Sequence, residues 1–148
     1  MMLSPLSSLE KKIFKQIKSF DTPSISNALE LIDPALRSKG HTQKTMHCSN
    51  PLLKPIVGFA KTAVITSRKK KSTNIIKNRD KYYEYMFDGD YPKICVIEDR
   101  DKHNTIGAWW GELNVSIHSN FGFVGAITNG AVRDLQTLDK KFQILSGE

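Results

Sequence analysis

Glu112, Arg133 and Asp134 are the residues of this chain whose types and spacing could do chemistry. They bracket the segment GELNVSIHSNFGFVGAITNGAVRD, residues 111–134, with an acid at its front and an adjacent cation and anion at its back. A fixed Arg fork pairs bidentately with a carboxylate, each charge-assisted bond contributing about 1.5–3 kcal/mol. An Asp pointing the other way offers a hard oxygen to Mg²⁺ or Mn²⁺, cations that take one or two carboxylates and keep several waters. Arg133 and Asp134 together could therefore hold a 2-oxo acid, with Glu112 nearby to handle protons. The same residues also fit a plainer description, in which Arg-Asp is a surface ion pair and Gly-Glu-Leu an ordinary helix start.

The surrounding pattern supplies elements that would position them. Gly111 follows the apolar segment IGAWW and opens a helix over 111–120. The amides around Leu113 and Asn114 then belong to a first helical turn, whose N–H groups lack intrahelical acceptors and can receive an anion. The run FVGAIT, 123–128, reads as a strand ended by Asn129-Gly130, and residues 134–140 read as a short helix before a last strand over 142–145. In an open α/β sheet, ligands gather at the carboxyl ends of the strands, where both ends of the segment would fall.

Upstream, Val57–Thr66 is β-branched enough for a strand, and Ile94–Ile97 reads as a short strand buried on both faces. Between them Asp80 is a candidate N-cap for an aromatic-rich helix that ends at the turn Asp88-Gly89-Asp90. Strand, helix, strand, helix, strand predicts βαβ units and a largely parallel sheet. Two helices should precede it. The first is capped by Ser7 or Ser8 and docks Leu9, Ile13, Phe14, Ile17 and Phe20 on the core; the second takes Thr22 as N-cap and Pro23 as its first residue.

A length of 148 residues suits one domain with one site. The formal charge of +7 permits weak attraction to anions, but the densest basic run, Arg68–Lys71, has no interleaved aromatics and reads as a solvated loop, so nucleic acid is not an expected partner. Cys48 and Cys95 form no metal or redox spacing, and Cys95 reads as a buried small hydrophobe. No signal-peptide pattern or membrane-length apolar stretch is visible, so a cytoplasmic protein with no membrane partner is expected. His41, His47, His103 and His118 lie in no metal-ligand spacing, and His118 reads as a surface or partly packed residue; Asp99 and Asp101 read as a solvated loop.

The segments DTPSISNALE, GFAKTAV, ICVIED, GAWWGELN and VGAITNGAVRDL, in this order, resemble the RraA-like family. That family includes class II 4-hydroxy-4-methyl-2-oxoglutarate aldolases, the associated oxaloacetate decarboxylases, and regulators that bind ribonuclease E without catalysis. The resemblance implies an α/β fold of the β/β/α swivelling-domain type, residues 1–34 forming N-terminal helices and 56–148 the α/β core of a single domain. It also implies a homotrimer or homohexamer with interface sites, a divalent cation (Mg or Mn) and a small 2-oxo acid substrate. Residue by residue, Arg133 matches the carboxylate binder, Asp134 the metal ligand, and Glu112 the acid beside the metal's water. Gly111, Leu113 and Asn114 match the helix start whose amides hold the substrate's carboxylate and keto group. The aldolases usually carry Asp at the position of Glu112, and many relatives carry Asp where this chain has Asn129. Longer members continue past the position of Gly147-Glu148 through a segment that helps complete subunit and assembly, so the sequence leaves an active lyase, a protein-binding regulator and an inactive remnant all open.

Overall fold

The computed structural model describes residues 6–66, 75–101 and 107–147. Strands β1 (His47–Cys48), β2 (Phe59–Ile65), β3 (Lys93–Asp99), β4 (Phe123–Thr128) and β5 (Gln143–Ser146) form one sheet in the order β1-β5-β4-β3-β2. Strands β2 to β5 are mutually parallel, and β1 adds antiparallel to β5 as an edge. Helices α1 (Ser8–Ile17), α2 (Thr22–Ile32), α3 (Ile75–Phe87) and α4 (Glu112–Asn120) complete a mixed α/β fold. The basic run Arg68–Lys71 and His103 lie outside the described residues.

Alternation along β3 puts Lys93, Cys95, Ile97 and Asp99 on a buried face, while Ile94 and Val96 are half-buried and Glu98 is exposed. The strand is therefore fully covered on one face, not on both. Cys95 pairs in register with Ala126, and Ala126 with Ile144. Met86 of α3, Val115 of α4, Trp110, Leu138 and Phe142 close over that row as the hydrophobic core.

Two lysines on the buried face end α3. The Lys93 side chain, 1% exposed, donates from Nζ to the carbonyls of Met86, Phe87, Asp88 and Gly89 at 3.0–3.4 Å. Three N–H donors thus serve four carbonyls at and just beyond the last helical turn, and a cation suits the negative end of a helix dipole. Lys61 donates to Tyr85 O at 3.0 Å and pairs with Asp88 at 3.4 Å. Burial, with Lys61 close by, pushes the Lys93 ammonium below its ordinary value.

Four expectations need correction here. Helix α3 starts at Ile75, so Asp80 lies inside it and caps nothing. The N-cap of α2 is Asp21, whose carboxylate accepts from Ser24 N at 2.8 Å; Thr22 and Pro23 are its first two helical residues. A capping box of Ser7 and Glu10 starts α1 as expected, but neither α1 nor α2 buries a residue. Phe14 meets Phe59 at 5.3 Å between ring centres, yet Leu9, Phe20, Leu31 and Ile32 stay exposed. Residues 134–140 form turns rather than a helix, for a reason that belongs to the site.

Candidate functional site

Where β4 ends, the chain turns back so that Val132 bridges Trp110 in parallel and Arg133 N donates to Trp110 O at 2.9 Å. This short pairing lays Arg133 and Asp134 across the N-terminus of α4. The contact is close: a Cβ on Gly111 would stand 2.6 Å from Asp134 Oδ2 and 3.0 Å from Arg133 Cγ, so only glycine leaves room for both side chains. The Asp134 carboxylate accepts from Glu112 N at 3.4 Å and pairs with Arg133 Nη1 at 3.4 Å. Arg133 Nε also donates to Ala108 O at 3.4 Å.

Asp134 thus occupies part of the helix-start anion site that the sequence assigned to a ligand. Its backbone takes a left-handed φ of 60°, which Asp tolerates better than most residues. From there Asp134 O receives the amides of Thr137 and Leu138 and the Thr137 hydroxyl, closing a turn. With Asp134 left-handed and its carboxylate turned onto the start of α4, residues 134–140 close only into turns and the expected helix does not form.

The structure brings Gly111, Glu112, Arg133 and Asp134 together at the carboxyl ends of β3 and β4. The Arg133 side chain remains 59% exposed, with donors of its fork still open to solvent. The Glu112 carboxylate has no partner among the described residues. Leu113 is exposed and offers only its amide. Asn114 turns its side chain inward, donating from Nδ2 to Trp109 O at 2.6 Å, so its contribution to a ligand is confined to its backbone.

Behind this rim lies a buried relay. His118, fully buried rather than at the surface, places Nδ1 2.7 Å from Asn114 O and Nε2 2.7 Å from the Tyr82 hydroxyl. Because a carbonyl only accepts, Nδ1 carries the proton and the Tyr82 hydroxyl donates to Nε2. Burial, with Cys95 beside it, holds the Tyr82 phenol well above its ordinary value, and burial pushes the Cys95 thiol up to about 12. Both stay protonated at neutral pH. Tyr82, His118 and Asn114 therefore tie α3 and α4 to the Trp109-Trp110 segment that presents Gly111. The i, i+4 spacing of Asn114 and His118 was the available signal for half of this relay; Tyr82 carried none.

Asp99 and Asp101 are also buried, at 5% and 4% exposure, instead of solvated. Asp99 Oδ1 accepts from Asp101 N at 2.8 Å, and Thr66 Oγ1 donates to Asp101 Oδ1 at 2.6 Å. Asn129 locks the ends of β3 and β4 together, accepting from Asp99 N at 2.7 Å and donating to Asp99 O at 2.8 Å. An amide can both donate and accept there, whereas a carboxylate at position 129 would lose one of the two bonds.

Burial lowers the His118 pKa below its ordinary value of 6.5. The unfolded chain then binds a proton near pH 6.5 that the fold refuses, so stability is full above that pH and declines as pH falls toward the lowered folded value. The slope is at most about 1.4 kcal/mol per pH unit. Urea midpoints from pH 7.5 to 5 should fall more steeply for wild type than for His118→Gln, which takes up no proton; parallel profiles would show that His118 titrates as in the unfolded chain.

Asp134 supplies one half-exposed carboxylate oxygen donor, and among the described residues no group of three His, Cys, Asp or Glu could cage a metal. That donor set fits a cation that takes most ligands from water and substrate, as Mg²⁺ and Mn²⁺ do. Across known proteins, the chain resembles in fold a solved structure titled "Crystal structure of novel cellulases from microbes associated with the gut ecosystem", with TM-score 0.64 and 16% identity. The match covers 97% of this chain and 60% of that one. No curated protein matches. The family model RraA-like (Aldolase/RraA) matches residues 22–146, from the start of α2 to the end of β5, and the chain belongs to the RraA-like family.

Proposed function

We propose that this protein is a divalent-metal-dependent carbon–carbon lyase that releases pyruvate from 2-oxo acids, by retro-aldol cleavage of 4-hydroxy-2-oxo acids or by decarboxylation of oxaloacetate. The observation that carries this reading is the placement of Arg133 and Asp134 across Gly111 at the start of α4, with the guanidinium still open to a ligand. Family membership supports the class of chemistry. The working unit in this reading is a homotrimer or homohexamer, whose mass light scattering would give.

Arg133 would grip the substrate carboxylate through its open donors, with the amides at the start of α4 on the carboxylate's other side. Asp134 would hold Mg²⁺ or Mn²⁺, which when bound polarises the C2 keto oxygen and stabilises the enolate left as the C3–C4 bond breaks. Glu112, whose carboxylate has no partner among the described residues, would accept the C4 hydroxyl proton during aldol cleavage, directly or through one water. Decarboxylation needs no such base.

The test is pyruvate release from oxaloacetate with and without Mg²⁺ or Mn²⁺, corrected for the metal alone. Protein- and metal-dependent release is expected, and its absence would leave the binding-protein reading in the lead. Arg133→Lys keeps the charge but loses the planar fork, so kcat/KM should drop at least about tenfold, the loss of one charge-assisted bond. Glu112→Gln should depress aldol cleavage far more than decarboxylation; equal losses would remove Glu112 from the proton step.

A further inference from the structure

A groove of about 400 Å³ runs from Glu112 along the outer face of α4, between that helix and the turn over residues 134–139. Glu112, Ser116, Ser119 and Asn120 line one wall at helical spacing, and Thr137 and Asp139 line the other. It begins beside the Arg133–Asp134 pair, because Glu112 N contacts the Asp134 carboxylate and the Thr137 hydroxyl donates to Asp134 O. A 2-oxo acid held at C1 and C2 by that pair would therefore send its remaining carbons along the groove.

The groove's charged groups are of one sign. It carries two carboxylates, Glu112 and Asp139, and among the described residues no Lys or Arg lines it. The hydroxyls of Ser116 and Ser119 have no protein partner among the described residues, while Asn120 donates to Ser116 O at 2.8 Å and Asp139 Oδ1 accepts from Lys141 N at 2.9 Å. A second carboxylate on the substrate would meet two like charges and no cation to offset its desolvation. A chain of hydroxyls would instead donate to the carboxylates and exchange hydrogen bonds with the serines.

Resting on the lyase reading above, we propose that the groove selects 2-oxo acids with an uncharged, polyhydroxylated tail over 2-oxo dicarboxylates. The cleavage balances without an oxidant or reductant. The C4 hydroxyl loses its proton, the C3–C4 pair moves onto C3 as the pyruvate enolate, C4 leaves as an aldehyde, and C3 is then protonated.

The deciding experiment compares pyruvate release from 4,5,6-trihydroxy-2-oxohexanoate and from 4-hydroxy-2-oxoglutarate under the same Mg²⁺ concentration. Wild type should favour the neutral-tailed substrate at least about tenfold in kcat/KM, the scale of a like-charge contact near a protein surface. Asp139→Asn, which keeps the acceptor for Lys141 N, and Ser119→Lys should each shift the ratio toward the dicarboxylate. Equal rates, or a dicarboxylate preference in wild type, would overturn the groove assignment and leave the lyase reading standing. No pyruvate from either substrate or from oxaloacetate would overturn both. Where a variant melts well below wild type, the wild-type ratio alone decides.

Discussion

Asp134→Asn is expected to abolish metal-dependent pyruvate release, by at least about a hundredfold, while leaving the fold intact. Asn is the informative replacement because it separates ligand charge from backbone shape. Asp134 sits at φ 60°, a conformation that Asn tolerates as well as Asp, and Asn can still accept from Glu112 N. The lost ion pair with Arg133 is solvent-exposed and contributes at most about 1 kcal/mol. Melting temperature should therefore move by no more than a few degrees, while a neutral amide is a poor substitute for a carboxylate on Mg²⁺. Wild-type rates in the variant would remove Asp134 from the metal site. Asp134→Ala would confuse the result by adding backbone strain.

Gly111→Ala probes the same arrangement from the other side. Its Cβ would meet Asp134 Oδ2 at 2.6 Å, so the carboxylate, the Arg133 stem or the start of α4 has to move.

The four parallel strands were readable because each satisfies one rule locally, whereas the two-residue edge strand β1 carries no such local signal. Phe123–Thr128 is an apolar run closed by Asn-Gly and forms β4 over those same residues, and the β-branched run 57–66 contains β2 with frayed ends. The front of the site was readable for the same reason, since Gly111 does start α4. Its back was not. Whether Asp134 opens a helix of its own or caps another depends on α4 lying across the turn, a contact 22 residues away in sequence. The exposed stripes of α1 and α2 show the reverse failure: helical spacing marks an amphipathic helix but does not say what surface covers it. His118, Asp99 and Asp101 were misplaced because polar residues are usually outside. Each is buried with bonds already satisfied by Tyr82, Asn114, Thr66 or backbone.

Lys93→Met is expected to be the most damaging single change to stability. Lysine in a parallel strand reads as an edge or end residue, yet this one is buried and ends α3 by serving the four carbonyls from Met86 to Gly89. Methionine fills nearly the same volume but donates nothing, so the buried carbonyl of Met86 and the partly buried ones after it lose their partner. Two charge-assisted bonds at about 1.5–3 kcal/mol each put the loss at roughly 3–5 kcal/mol after relaxation. For a chain of this size that corresponds to roughly 6–20 °C in melting temperature. The consequence should reach the rim, because α3 also carries Tyr82, which holds His118 and through it the carbonyl of Asn114 on α4. Hydrogen exchange in Lys93→Met should accelerate first at 82–89 and then at 109–115, with the β4 and β5 amides following only at global unfolding. Uniform acceleration would mean that Lys93 supports the whole core and that α3 does not transmit to the site. A melting temperature within two degrees of wild type would mean that water replaces the ammonium at the end of α3, and the cap would then contribute position rather than stability.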